Sequence, residues 1–136
     1  MIDYSEIVAH AGPDALQAIA DAILNRSGVK ILRPPSPGMV MVRHTDPLEN
    51  TLFLLGEAYV TECEVEVDGH LGYGCALGSG EERALCGALV DAVMGGGHSL
   101  ESEIEPLLEA EHRRIMERWE AEGRAVASTR VSFDVR

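Results

Sequence analysis

The sequence is poor in the residues that mark several common classes of protein. Its 136 residues include one Trp, three Tyr and two Phe, so the core has to be built mainly from aliphatic side chains. No apolar run approaches the ~20 residues that cross a bilayer. Asp3 and Glu6 stand where a secretory signal carries basic residues. We therefore expect a single domain over residues 1–136 that is cytoplasmic and not bound to a membrane.

Basic residues are also scarce. The chain has 11 Lys and Arg against 23 Asp and Glu, for a formal net charge of −12. A surface that binds nucleic acid needs concentrated positive charge, and anionic membranes attract the same residues. We expect neither as a partner. Two interpretations of the acidity stay open: it keeps the domain soluble, or it forms a docking surface for a basic protein.

Metal and cofactor sites lack their usual signatures. Three cysteines are present, an odd number with no Cys-x-x-Cys spacing, so neither a zinc site nor a disulfide framework is predicted. The five histidines include no pair at the i, i+4 spacing of a helical metal site. No serine lies in a nucleophile elbow. The residues therefore predict no cofactor, no metal site and no catalytic residue in this chain.

The spacing of apolar residues predicts an α+β domain. Segments with a period near 3.6 lie at both ends of the chain, and a period of two dominates between them. The expected architecture is an antiparallel sheet of four to five strands packed by N-terminal and C-terminal helices. The predicted helices cover 4–11, 14–25, 81–94 and 100–122; the predicted strands cover 29–33, 39–44, 51–67, 71–77 and a closing 128–135.

Asp68-Gly69 lies between two alternating segments and predicts a two-residue hairpin turn. One strand of this hairpin presents three glutamates on one face, and the other has a face made of small residues. Glycine weakens a strand unless something approaches its backbone closely. That neighbour is either a tightly packed helix or a partner chain or ligand. The candidates for contact with a partner are Glu62, Glu64, Glu66, Gly72 and Gly74.

The few basic residues suggest a possible anion site. Arg33 and Arg43 flank the proline-rich connection, and Arg130 lies in the predicted closing strand. Guanidinium groups bind phosphate and carboxylate well, so these three arginines are candidate ligand-binding residues. The alternative is that they form ion pairs with the acidic faces of the sheet.

An ordered series of short motifs resembles the G subunit of the carbon–phosphorus lyase core complex, the PhnG family. The resemblance covers nearly the whole chain and depends on the order and spacing of the motifs rather than on any one of them. The motifs are Leu32-Arg33-Pro34-Pro35, Gly38-Met-Val-Met-Val-Arg43, Asp46-Pro47, Phe53-Leu-Leu-Gly-Glu57, Val60-Thr61-Glu62-Cys63, Gly69 with Leu71-Gly72-Tyr73, Leu77-Gly78, Ala88-Leu-Val-Asp-Ala and Thr129-Arg130-Val131-x-Phe133.

This resemblance implies a role in bacterial phosphonate utilisation. It implies assembly with the H, I and J subunits, and with the L subunit for the synthase step. That step makes α-D-ribose 1-methylphosphonate 5-triphosphate from ATP and methylphosphonate and releases adenine. The resemblance carries no catalytic residue over to this chain. Family members often show Arg-His-Ala-Glu after the Leu-Gly turn, whereas this chain has Glu82-Arg83-Ala84-Leu85 and lacks the His and the acid.

Three functions are consistent with these features. The first is an accessory subunit of a transferase complex, which is not catalytic alone and self-associates when its partners are absent. The second is a stand-alone anion-binding domain that uses the three arginines. The third is an independent enzyme that uses a divalent cation on Glu62, Glu64 and Glu66.

Overall fold

A computed structural model describes residues 3–49 and 52–134, with the side chains of 44, 53–55 and 125–134 outside the description. All four helices lie on one side of a three-stranded antiparallel sheet of order β1-β2-β3, and α3 is the helix in contact with the strands. The fold is α+β, as predicted. The elements are α1 Tyr4–His10, α2 Pro13–Leu24, β1 Val29–Thr45, β2 Leu52–Val67, β3 His70–Leu77, α3 Glu81–Val93 and α4 Glu101–Asp134.

The predicted hairpin turn is confirmed and sets the register of β2 against β3. Asp68 and Gly69 both have positive φ, 48° and 89°, as a two-residue turn of this kind requires. Val67 pairs with His70, and the ladder continues without a shift to Val60 opposite Leu77. A two-residue turn therefore decides which side chains of β2 and β3 share a face.

The small residues of β3 allow α3 to pack directly on the sheet. A Cβ added at Gly72 would lie 2.1 Å from the carbonyl oxygen of Ala88, and one at Gly74 would lie 2.0 Å from that of Ala84. Both distances are far inside van der Waals contact, so only glycine fits. The tightly packed helix, one of the two explanations that the sequence left open, is what approaches the backbone here.

Helix α3 is buried on nearly all sides and forms the centre of the core. Its buried residues include Cys86, Leu89 and Val93, and α1 and α2 pack against its far side, where α4 in turn packs on α1 and α2. A helix that is apolar around most of its circumference is typical of an interior position. Burial raises the pKa of the Cys86 thiol to about 12, against a smaller opposing effect of Arg83, so Cys86 is an inert core residue.

The strand count is lower than predicted because the prolines interrupt hydrogen bonding without ending the strand. The predicted strands 29–33 and 39–44 form one strand, β1, which has irregular register between Ile31 and Ser36. β1 is an edge strand, so one side of its backbone needs no partner. Proline is tolerated at such an edge, and bulges accommodate the residues that cannot donate.

The predicted closing strand over 128–135 is wrong for every described residue of that segment. The backbone of α4 remains helical from Glu101 through Asp134. The helix predicted over 100–122 was to end at Gly123. This glycine does not have the positive φ of a helix-terminating glycine. The neighbouring Glu, Arg and Ala residues favour helix strongly enough to outweigh a glycine, which costs about 1 kcal/mol in a helix interior.

Long polar side chains hold the connection between α1 and α2. The guanidinium of Arg83 donates to the carbonyl oxygens of Val8 and Ala11 at 2.7 and 2.8 Å, and to that of Ala9 at 3.2 Å. From α4, the buried Glu111 accepts from the backbone N–H of Gly12 at 3.0 Å. These bonds satisfy backbone groups that the short helix α1 leaves without partners.

A second polar network joins the hairpin turn to the start of α4. Asp68 accepts from the backbone N–H of Gly28 at 2.8 Å and lies 2.9 Å from Nε2 of the buried His98. The other ring nitrogen of His98 accepts from the backbone N–H of Leu100 at 2.9 Å. Nε2 therefore carries the proton and donates it to Asp68. The bond from Gly28 and then the one from His98 lower the pKa of Asp68 below its usual value of 3.8.

We expect Asp68→Asn to lower the stability of the chain at neutral pH and to have little effect in acid. Asn adopts the positive φ of this turn as readily as Asp, so the turn itself is preserved. Its amide group, however, would direct N–H donors at the Nε2–H of His98. A carboxyl with a lowered folded-state pKa stabilises the fold above its unfolded pKa, and that contribution is lost as pH falls through the lower folded pKa.

The measurement is urea unfolding of the wild type and the variant at several pH values between 7 and 3. The difference between their free energies of unfolding should be largest at neutral pH and should shrink as pH approaches 3. Asp21→Asn, an exposed change on α2, is the matched control and should show no such trend. A constant difference across the range would mean that the Asp68 charge does not stabilise the fold.

Candidate interaction surface

The face of the sheet opposite α3 carries three columns of side chains with different chemistry. We call it the outer face. Glu64 lies between Arg33 on β1 and Tyr73 on β3, and the rows before and after it repeat the arrangement. The rows are Lys30–Glu66–Leu71, Arg33–Glu64–Tyr73 and Ser36–Glu62–Cys75. Basic, acidic and apolar or weakly polar groups therefore run side by side along β1, β2 and β3.

Glu62 joins the three columns at one end of the outer face. One carboxylate oxygen accepts from the Tyr73 hydroxyl at 2.8 Å, and the other lies 3.3 Å from the guanidinium of Arg33. Loss of solvent, followed by the hydrogen bond to Glu62, raises the pKa of Tyr73 far above its usual value. Tyr73 therefore remains a hydrogen-bond donor at any physiological pH. The Arg33–Glu62 pair is partly solvated and contributes at most about 1 kcal/mol.

Large apolar side chains are exposed on and beside the outer face. Leu71 is 70% exposed and Leu77 is 80% exposed on β3. Where the ladder to β3 ends, β1 and β2 continue as a two-stranded ribbon of residues 39–45 and 52–59, which we call the β-arm. Its exposed side chains include Met39, Met41 and Tyr59. By strand alternation these three side chains lie on the opposite side of the sheet from Leu71 and Leu77, so the exposed apolar residues form two groups. Exposed apolar groups of this kind are typical of protein–protein contact surfaces.

A groove of about 470 Å³ runs beside the free edge of β3, between that strand and α1. Tyr73 and Cys75 of β3 and Asp91 of α3 are among the residues that line it. The carboxylate of Asp91 accepts from the backbone N–H of Tyr73 at 2.9 Å. Asp3 adds a second acid, and none of the described residues that line the groove is Lys or Arg.

The structure holds two of the candidate anion-binding arginines far apart. Arg33 and Arg43 lie ten residues apart on β1, about 30 Å along an extended strand. Arg33 is paired with Glu62, and the Arg43 guanidinium lies beside the sulfur of Met41. The backbone of residue 130 belongs to α4, and the side chain of Arg130 lies outside the described residues. Of the two interpretations, ion pairing with the acidic face is the one that Arg33 shows.

The acidic candidates lie where the sequence placed them, and the glycine candidates do not face outward. Glu62, Glu64 and Glu66 occupy the central column of the outer face, whereas α3 covers Gly72 and Gly74. In the part of the chain that the structure describes, no three His, Cys, Asp or Glu side chains are close enough to hold a metal ion. Nor does any described helix have the length and apolar character to cross a membrane.

Sequence reasoning missed Leu71, Tyr73, Leu77 and Asp91 as surface groups. A signal for the first three was present, because the Asp-Gly turn fixes the register and places Leu71 beside Glu66. Since the glutamates must face outward, the apolar residues that alternate with the glycines face outward as well. Asp91 had no such signal, since its contact with Tyr73 depends on how α3 lies across the sheet.

These features define an α+β domain that exposes apolar groups and a column of glutamates on the outer face of its sheet. The family model for phosphonate metabolism protein PhnG matches residues 3–136, so the chain belongs to that family. A relative from Rhizobium meliloti (strain 1021), α-D-ribose 1-methylphosphonate 5-triphosphate synthase subunit PhnG, is 33% identical over 132 residues, covering 93% of this chain and 81% of the relative.

Proposed function

We propose that this chain is an accessory subunit of a phosphonate-metabolising synthase complex. The complex makes α-D-ribose 1-methylphosphonate 5-triphosphate from ATP and methylphosphonate and releases adenine. In this role the chain supplies binding surface to the H, I and J subunits, and to L during the synthase step. The relative's name supports the reaction. The observation that carries the proposal is the outer face, where exposed Leu71 and Leu77 flank a column of glutamates.

The arrangement of polar groups supports a subunit that does not react by itself. Glu62 is held by Arg33 and Tyr73, and Asp68 and His98 are held by each other and by backbone N–H groups. Burial raises the pKa of Cys63 and Cys86 alike. Nucleophilic or acid–base groups poised for chemistry lie in a shared cleft with perturbed pKa values. Glu62, Asp68 and His98 instead serve the fold.

The test of this proposal is adenine release from ATP in the presence of methylphosphonate. The pure chain should release none, the remaining subunits without it should release little, and adding the chain back should restore turnover. Release by the pure chain would refute the accessory role. If the remaining subunits are fully active without the chain, it is not part of the synthase step.

We also expect the chain to self-associate when it is purified without partners. The β-arm and β3 expose Met39, Tyr59, Leu71 and Leu77, and apolar surface of this kind is stabilised by burial against any available protein. Light scattering at tens of micromolar should give a mass above that of one chain, 14.7 kDa. A clean monomer at that concentration would contradict this expectation.

A further inference from the structure

The free edge of β3 presents a regular row of backbone N–H donors that have no partner strand. In an antiparallel ladder, successive residues point their N–H groups alternately toward the partner strand and away from it. Gly78 donates to Tyr59 on β2, whereas Tyr73 donates to Asp91 at the open edge. By this alternation the N–H groups of Leu71, Cys75 and Leu77 also point away from β2. Among the described residues, Asp91 is the group that accepts from this row.

The two edges of the sheet differ in how well they accept another strand. β1 carries Pro34, Pro35 and Pro37 and has register shifts, features that block pairing at an edge. β3 has an unshifted ladder over all its residues, and its sequence HLGYGCAL holds no Pro, Lys, Asp or Glu. A flat, uncharged edge without proline is a template for strand addition.

The charges around this edge indicate what kind of strand it binds. Asp91 and Asp3 line the groove beside it, and Glu62 and Glu64 form the neighbouring column on the outer face. A second copy of this chain would bring a net charge of −12 and its own Asp91 against these acids. A strand that carries Lys or Arg would be attracted by them, and its basic side chains would replace the contact that Asp91 now makes with the backbone.

We propose that β3 binds an extended, Lys/Arg-bearing segment of a partner protein as a fourth strand of the sheet. The partner's carbonyl groups accept from the N–H groups of Tyr73 and Cys75, and its basic side chains contact Asp91 and Asp3. This inference rests on the proposed subunit role and adds the contact site and its chemistry. The proposal predicts a row of backbone hydrogen bonds along the edge of β3, rather than side-chain contact across the outer face alone.

The experiment compares Cys75→Pro with Cys75→Val, each titrated into the remaining synthase subunits purified without this chain. Proline removes the edge-facing N–H of residue 75 and leaves the ladder to β2 intact, whereas valine keeps that donor. Cys75→Pro should weaken binding about tenfold or more relative to Cys75→Val, the effect of a lost interfacial hydrogen bond plus steric exclusion. Far-ultraviolet circular dichroism establishes that both variants are folded.

A second measurement does not depend on substitutions. Hydrogen exchange of the Cys75 and Leu77 amides, for which the described residues offer no acceptor, should slow about tenfold or more when the other subunits are added, because paired strand amides exchange slowly. Docking on the outer face would bury side chains without slowing these two amides. Unchanged exchange in a complex that forms and releases adenine would overturn the edge proposal while leaving the proposed function in place. If the wild-type chain does not bind at all, both fail.

Charge is tested separately at Asp91. Asp91→Asn keeps an oxygen that accepts from Tyr73 and removes the negative charge, whereas Asp91→Lys reverses it. Binding should weaken from wild type to Asn to Lys, and the wild-type affinity should fall as salt is raised. Tighter binding by the Lys variant would show that the added strand is acidic and would overturn the proposal. Slowed edge exchange in the chain alone, rising with its concentration, would identify a second copy as the occupant.

Discussion

Replacement of Gly74 by Ala is expected to destabilise the fold by about 3 kcal/mol or more, with Gly72→Ala close behind. The added methyl group at residue 74 would lie 2.0 Å from the carbonyl oxygen of Ala84 and 2.5 Å from the backbone nitrogen of Ala88. Both atoms belong to the backbone of α3, so no rotamer change relieves the overlap. The helix has to move away from the sheet, and the core between them loses its close packing.

Gly87→Ala is the matched control for this change. Gly87 lies on the α3 side of the same contact, and a Cβ there would meet its nearest atom at an ordinary 3.5 Å. Because alanine favours helix over glycine, this variant should be unchanged or more stable by up to about 1 kcal/mol. Urea unfolding followed by circular dichroism measures all three variants. Equal effects at residues 74 and 87 would mean that α3 does not pack as closely on β3 as described.

This contact also shows what the sequence determines and what it leaves open. The glycines of β3 indicated a close neighbour, but both a helix and another chain satisfy that requirement. The choice depends on α3, whose small residues Ala84 and Ala88 match the spacing of Gly72 and Gly74. Such complementarity between distant segments lies outside any local pattern, so it emerges from the structure alone.

Local chemistry was the most reliable guide. The Asp68-Gly69 turn was predicted because positive φ at two consecutive positions strongly favours those residues. The helices over α1, α2 and α3 followed from apolar spacing and from breaking residues at their ends. In contrast, alternation over 128–135 indicated a strand, although a strand requires a neighbour to pair with and a helix does not. Helix α4 simply continues to Asp134.

Part of the candidate surface could be predicted because it, too, depends on a local sequence pattern. The column of Glu62, Glu64 and Glu66 followed from a period of two and is present on the outer face. The anion pocket required residues far apart in sequence to converge, and β1 holds Arg33 and Arg43 ten residues apart along one strand. The groove beside β3 depends on α1 and α3 together, which no single-segment pattern describes.

Arg83→Gln is expected to lower the free energy of unfolding by about 2–3 kcal/mol, because hydrogen bonds from a charged donor to buried carbonyls contribute more than neutral ones. Arg83 is half-buried, and one of its terminal nitrogens contacts the carbonyls of Val8, Ala9 and Ala11 at the end of α1. Glutamine is shorter and uncharged, so it leaves these acceptors without their donor. The position where family members often carry an Arg-His-Ala-Glu motif thus supports the fold in this chain.

The fluorescence of the single Trp reports locally on the attachment of α1 in the same variant. Trp119 of α4 contacts the ring of His10 at the end of α1, with 5.0 Å between ring centroids. If Arg83 anchors α1, the Trp119 emission of Arg83→Gln should change at lower urea concentration than the circular dichroism signal, since α1 detaches before the core unfolds. Arg113→Gln is the control, because Arg113 is exposed on α4 and makes no hydrogen bond or ion pair among the described residues. Coincident transitions and equal stability in the two variants would show that the three carbonyls do not need Arg83.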